Sequence, residues 1–287
     1  MKNQKTIILS LIKYLLIVII MTGYACNTSL NLLKLNNHAL NKNNFTDTID
    51  VEFHNNIEIA GKSRKFIFDT GASTIIFEDL KEELNNTRKK TTIAMRSVDG
   101  KTRKYSMQQI GQISINNKLK FDNVWVIEDD NSIETILFGL PCKIYDGVIG
   151  SDLFRHLNVH LDMRNKRIII SDKEILPTTD VALKQQMRIK ETGHPHIEIL
   201  VQGKKESVLF DTGAPQIVML YGIKQYSDMI IDTISSLYNP QGKLLEKEVR
   251  FNEIVINNVS IKKPQIMLSN TRKVPLIGTD ILHYASV

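Results

Sequence analysis

Apolar and polar residues trade places with period two through Ile49-Asp50-Val51-Glu52-Phe53 and again through Ile57-Glu58-Ile59. That alternation marks a half-buried strand, whose successive side chains point to opposite faces. Short segments of the same kind predict strands at 92–95, 110–115, 124–127, 159–161 and 168–170. A helical pattern is confined to 78–85 and 151–156. The chain therefore reads as all-β with minor helices.

The pattern is also repeated on a larger scale. Two apolar runs lead into the same word, Phe66-Ile67-Phe68-Asp69-Thr70-Gly71-Ala72-Ser73 and Val208-Leu209-Phe210-Asp211-Thr212-Gly213-Ala214-Pro215. Asp211 minus Asp69 is 142, and Gly203-Lys204 against Gly61-Lys62 and Gly242-Lys243 against Gly100-Lys101 give 142 again. Ile256-Asn257-Asn258 against Ile115-Asn116-Asn117 gives 141, so one residue is lost over that stretch. Each copy closes on an apolar-Ile-Gly word, Val148-Ile149-Gly150-Ser151-Asp152-Leu153 and Leu276-Ile277-Gly278-Thr279-Asp280-Ile281. A duplicated domain is the economical explanation. It divides the chain into a first lobe at 47–172, a linker at 173–186 around Pro177-Thr178-Thr179-Asp180, and a second lobe at 187–287.

Residues 1–25 stand apart from this body. Lys2 and Lys5 precede an apolar run at 7–21, the layout of an export signal, and Lys13 inside the run weakens a spanning helix. The run ends at Thr22-Gly23-Tyr24-Ala25-Cys26, with small residues third and first before a cysteine. That ending resembles a bacterial lipoprotein signal, which implies a lipidated Cys26; an uncleaved membrane anchor with an incidental cysteine is the alternative. Either way the body is expected outside the cytoplasm, in the cell envelope facing the periplasm or cell surface. Residues 26–46, rich in Asn and Leu, read as a tether or a propeptide.

Charge and cysteine content narrow the classes further. The signal carries three lysines and no acid, so the formal +6 becomes +3 for the rest (6 minus 3), and no basic stripe for nucleic acid survives. With Cys26 assigned, only Cys142 remains, so no intramolecular disulfide is expected.

An aspartate on a tight turn behind an apolar strand is costly near a core unless it has a use. Two such turns facing across a pseudo-twofold axis would bring Asp69 and Asp211 close enough to share one proton. One carboxylate then serves as a base toward water and the other as an acid toward a scissile amide. Both copies also carry a polar, glycine-containing turn about 30 residues after the aspartate. These are Ser97-Val98-Asp99-Gly100-Lys101 and Tyr238-Asn239-Pro240-Gln241-Gly242-Lys243, hairpin signals with tips at Asp99, Gly100, Gln241 and Gly242.

On these motifs the chain resembles the retropepsin-like aspartic proteases, in a tandem single-chain form, over roughly residues 47–287. The resemblance implies two β-barrel lobes with the active site between them. It implies a catalytic dyad of Asp69 and Asp211 that binds the attacking water. Thr70 and Thr212 would cross-link the two turns, Gly71 and Gly213 would bring backbone amides to the carboxylates, and Ile149-Gly150 and Ile277-Gly278 would pack behind each aspartate. The two hairpins would act as flaps over a peptide held as an added strand. Ala72 and Ala214 stand where pepsin-type enzymes place a hydroxyl residue, which implies a less acidic optimum than pepsin's.

The copies are unequal. Ser73 faces Pro215, and the segment Val159-His160-Leu161-Asp162-Met163-Arg164-Asn165-Lys166-Arg167-Ile168, a terminal hairpin, has no counterpart when Gly278 is set on Gly150. His156 and His160 have helical ligand spacing but no glutamate between them, and His194-Pro195-His196 reads as the start of a strand, so neither metal nor cofactor is expected. Trp125 is expected in the core, with Tyr105 and Tyr238 flanking the flap turns. The expected function is an exported aspartic endopeptidase acting on peptide or protein substrates as a monomer, held at a membrane by its N-terminal lipid. A catalytically silent peptide-binding lipoprotein of the same fold is the alternative.

Overall fold

The computed structural model describes residues 35–36, 39–40, 46–50, 57–84, 89–96, 101–129, 134–137, 140–162, 165, 167–175, 187–189, 193–214 and 218–283. Among them the expected all-β architecture holds: strands dominate, with short helices at Glu78–Glu83 and Ser151–Phe154 and, beyond those expected, 3-10 turns at Ile223–Met229 and Thr279–His283. Among the described residues, no helix is long and apolar enough to cross a membrane. The export signal and Cys26 lie outside the described residues.

Each copy folds around the same motif. In the first, strand Gly147–Gly150 lies between Phe66–Asp69, to which it runs parallel, and Ile75–Phe77, to which it runs antiparallel. In the second, Leu276–Ile277 lies between Lys204–Phe210 and Val218–Tyr221 with the same two senses. The apolar-Ile-Gly word is thus the strand clasped between the two arms of the Asp-Thr-Gly turn. It is apolar because it is covered on both sides; Ile149 and Ile277 are fully buried.

The repeated Asn-Asn words are turns, and the Gly-Lys words at 61–62 and 203–204 mark the end of a turn and the start of a strand. Ala60 and Gly61, Gln202 and Gly203, Asn116 and Asn117, and Asn257 and Asn258 all have positive φ, the left-handed conformation that two-residue hairpins need. These positions tolerate few residues, which is why the words survive in register.

Thr102–Ile115 and Leu119–Asp129 are longer than the 110–115 and 124–127 expected. Alternation reveals only strands with one buried face, and 102–104 are exposed beyond the core. The second copy breaks the corresponding strands in two, leaving Leu244–Arg250 and Glu253–Ile256 facing Val259–Lys262 and Gln265–Ser269. The break falls at Lys263, with φ of 48°, and at Pro264, which has no N–H to donate to a ladder. Both copies carry the expected hairpin, Lys90–Arg96 with Thr102–Ile115 and Asp232–Tyr238 with Leu244–Arg250.

Buried apolar side chains of both copies join in one cluster, from Phe66, Phe68 and Phe121 to Phe210, Leu268 and Ile277. A satellite of Ile93, Met95, Met107 and Val148 lies under the first hairpin, and Trp125 is half-buried against it rather than central to the core. Strands Thr46–Asp50, Arg167–Ser171 and Asn158–Asp162 pair in that order as a separate three-stranded sheet, which resolves how the extra hairpin of the first copy is used.

The stretch 26–46 departs from a free tether where it is described. Asn36 and Ala39 are 5% and 4% exposed, and Leu40 bridges to Phe121, so this piece is built into the first lobe. The helix expected at 78–85 ends at Glu83, and that at 151–156 at Phe154. Of the second lobe's first residues, Arg188–Ile189 is already a strand paired with Pro195–Val201.

Candidate active site

Asp69 closes its strand beside the clasped one, opposite Gly150 in the parallel register, and Asp211 directly follows its strand Lys204–Phe210. The chain then reverses at once: Ala72 N–H donates to the Asp69 carbonyl and Ala214 N–H to the Asp211 carbonyl, both at 3.3 Å. The turns are pinned from below in the same way, by Ser151 N–H on the Ala72 carbonyl at 3.0 Å and Thr279 N–H on the Ala214 carbonyl at 2.7 Å. The apolar-Ile-Gly word therefore positions its aspartate from both ends of the turn.

The two turns meet. The Thr70 hydroxyl donates to the Phe210 carbonyl at 2.7 Å and accepts the Thr212 N–H at 3.1 Å. The Thr212 hydroxyl donates to the Phe68 carbonyl at 2.9 Å and accepts the Thr70 N–H at 2.9 Å. Each hydroxyl is both donor and acceptor, which a valine of the same shape cannot imitate. Thr70→Val or Thr212→Val strands a backbone N–H and carbonyl near the core, and each is expected to lower unfolding free energy by about 1–3 kcal/mol in denaturant titration.

The glycines let the carboxylates pass. A Cβ on Gly71 would lie 2.5 Å from Asp211 Cγ, and one on Gly213 would lie 2.3 Å from Asp69 Oδ2. Each aspartate is thus packed over the glycine of the opposite turn. Gly71 and Gly213 also donate their N–H groups to Oδ1 of their own aspartates, at 2.8 and 2.9 Å.

Asp69 and Asp211 are 1% and 0% exposed, and their carboxyl groups lie within hydrogen-bonding reach of each other. Among the described residues, Oδ2 of each receives no donor from any other group. Burial, then the facing carboxylate, holds Asp69 well above the ordinary carboxylate range. Burial raises Asp211 too, offset by its hydrogen bond with Asp69, the Gly213 N–H and the charge of Arg272. Two acids this close share one proton, which belongs to the pair and leaves a single negative charge between them.

Two residues of this site gave no usable signal in the sequence. Arg272, 5% exposed, sits 3.8 Å from Glu246 Oε1 through its Nε, near enough to Asp211 to bias its ionisation. With Gly278 set on Gly150, its counterpart in the first copy is Ile144, so the cation belongs to one side only. His194, expected only as the start of a strand, is buried between the copies, its Nδ1 2.8 Å from Ser151 Oγ and 3.3 Å from the Thr70 carbonyl. Burial pushes it down to about 4, so it is a neutral interlobe contact at ordinary pH. Neither position is periodic or part of a repeat, the two signals a single sequence offers.

Of the flap residues, Gln241 and Gly242 occupy a turn held by Asn239, whose Oδ1 accepts the Gln241 and Lys243 N–H groups at 3.1 and 2.8 Å. Asp99, Gly100 and Pro215 lie outside the described residues. Ser73 is buried with no partner for its hydroxyl among the described residues. Among the described residues no group of three or more His, Cys, Asp or Glu side chains could hold a metal ion.

Residues 56–153 match the sequence model of the aspartyl protease family. That span holds the Asp69 turn, the first hairpin and the first apolar-Ile-Gly word. No curated protein matches the chain. Among solved structures, a retropepsin-like aspartic protease from Rickettsia conorii is similar at 17% identity and a TM-score of 0.26, over 35% of this chain and 88% of that one. The family match supports an aspartyl protease fold and a peptidase kind of activity for the chain that carries it.

Proposed function

We propose that the protein is an aspartic endopeptidase in which Asp69 and Asp211, one from each copy, activate a water molecule against a peptide bond. The observation that carries this reading is the pair of facing, buried carboxyl groups whose second oxygens have no other donor among the described residues. In the reaction the ionised carboxylate of the pair accepts a proton from the water while the protonated one donates its own to the carbonyl oxygen, giving a gem-diol. The proton taken from the water then passes to the leaving nitrogen as the C–N bond breaks, and the carboxylate that had donated recovers the proton of the collapsing diol. No bond forms between substrate and protein.

Both carboxylates come from one chain, so a monomer supplies the full dyad. The hairpins ending near Gly100 and Gly242 close over an extended peptide. Export through residues 1–25 and lipidation of Cys26 put the enzyme in the cell envelope, where peptide or protein substrates meet it.

The pH dependence tests the reading. Ala72 and Ala214, buried beside the aspartates, offer no hydroxyl to stabilise the ionised forms. Hydrolysis of an unfolded protein substrate should follow a bell-shaped profile with its maximum in weak acid. No hydrolysis at any pH contradicts the endopeptidase, and a maximum at about pH 2, pepsin's range, contradicts the account of the alanines.

A further inference from the structure

Asn36 lies in the stretch whose sequence fits tether or propeptide equally well, yet it is 5% exposed and uses its whole side chain. Its Oδ1 accepts the Trp125 N–H at 2.8 Å. Its Nδ2 donates one hydrogen to the Trp125 carbonyl at 2.9 Å and the other to Asp152 Oδ2 at 2.7 Å. Two donors and one acceptor on one planar group is the complement of an amide, and no other side chain of that size offers it.

Asp152 passes this contact on. Its Oδ1 accepts both the N–H and the hydroxyl of Thr74, at 2.7 and 2.9 Å. Thr74 Oγ1 in turn accepts the Gly150 N–H at 3.2 Å. Gly150 is the residue paired with Asp69, and Thr74 closes the turn that Asp69 opens. Asp152 is itself buried, 6% exposed, so each donor it has is needed to keep a carboxylate there.

We propose that Asn36 is a positioning residue for the Asp69 turn, acting through Asp152 and Thr74, and that the segment carrying it stays part of the working enzyme. This rests on the reading of Asp69 as half of a catalytic dyad. It decides between tether and propeptide at this point: cleavage before residue 35 leaves the relay intact, and cleavage after 46 breaks it. The contacts of Asn36 all fall in the first lobe, so the strap serves the Asp69 turn and not that of Asp211.

The test uses the full chain with Asn36→Ala and Asn36→Asp. Asn36→Ala should lower kcat on a peptide substrate by about ten- to a hundredfold, with KM within about twofold, because the substrate contacts are untouched and only the carboxylate is misplaced. Asn36→Asp sets a second carboxyl against Asp152. In acid the two share a proton and the link to Asp152 is kept, although the donor to the Trp125 carbonyl is lost, so activity stays above that of Asn36→Ala; as the pH rises and that proton leaves, repulsion opens the relay and activity falls faster than in wild type. This distinctive profile separates positioning from simple loss of stability, and it is readable even where Asn36→Ala fails to fold. Wild-type kcat in Asn36→Ala, or an Asn36→Asp profile parallel to wild type, overturns the proposal. Should the wild-type protein cleave nothing, amide exchange at Gly71, Thr74 and Gly150 decides the matter independently. Faster exchange there in Asn36→Ala, with none in Lys62→Ala, supports the relay, and unchanged exchange overturns it.

Discussion

Replacing either aspartate with asparagine should abolish peptide hydrolysis while making the protein more stable at neutral pH. The loss of rate is expected to be about 10³-fold or more, the range over which a positioned acid or base acts, because the remaining carboxyl has no partner to exchange protons with. The gain in stability follows from the pH linkage. Burial and the facing charge raise Asp69 above the value it has in the unfolded chain. An acid raised in this way binds a proton in the native state that the unfolded state has released. Stability therefore falls as the pH climbs from the unfolded value through the folded one, and it does not return above it. The asparagine of the Asp69→Asn variant carries no such penalty, and its amide can donate to Asp211. Thermal unfolding of Asp69→Asn should show a higher Tm than wild type at neutral pH and a similar one in strong acid. A structural aspartate predicts the opposite sign, since its loss would cost stability at neutral pH.

Gly71→Ala and Gly213→Ala should be nearly as damaging to activity and, unlike the asparagine variants, destabilising. The added methyl group would stand 2.5 Å from Asp211 Cγ in the first case and 2.3 Å from Asp69 Oδ2 in the second. Neither contact can be relieved by a flexible chain end, because the carboxylate is packed between two cross-linked turns. Overpacking of this kind costs about 1–3 kcal/mol. Moving a reacting group by an ångström costs on the order of 10²-fold in rate. Gly111→Ala is the control, since a Cβ there meets nothing within 4 Å. Equal kcat in Gly71→Ala and Gly111→Ala would show that the two carboxylates do not sit as described.

Most of the site was legible because the chain says it twice. The Asp-Thr-Gly turns, the apolar-Ile-Gly strands, the Gly-Lys and Asn-Asn words and the two hairpins recur in register, and each recurrence answers to a fixed geometric need. Gly61, Gly203 and the two Asn-Asn words take positive φ, the clasped strand wants apolar residues on both faces, and the glycines after the aspartates admit the opposite carboxylate. What occurs once was illegible. Asn36, Arg272 and His194 carry neither repeat nor period, and each acts through a partner far away in sequence: Asp152 and Trp125, Glu246 and Asp211, Ser151 and Thr70. Each of the three bears on one lobe's turn and not the other's. The divergence of the copies, visible in sequence only as Ser73 against Pro215 and an extra hairpin, thus extends to how each aspartate is held. The ends of the long hairpins were lost for a different reason, since an exposed strand such as Asp232–Tyr238 has no buried face to impose alternation.

The most direct test of the dyad is digestion of a diverse peptide library by the purified monomeric fraction, read by mass spectrometry beside Asp69→Asn and Asp211→Asn over a broad pH range. The account predicts internal cleavages by the wild-type monomer that vanish in both variants. Peptides left intact by the wild type at every pH, or cut equally by the variants, would contradict it.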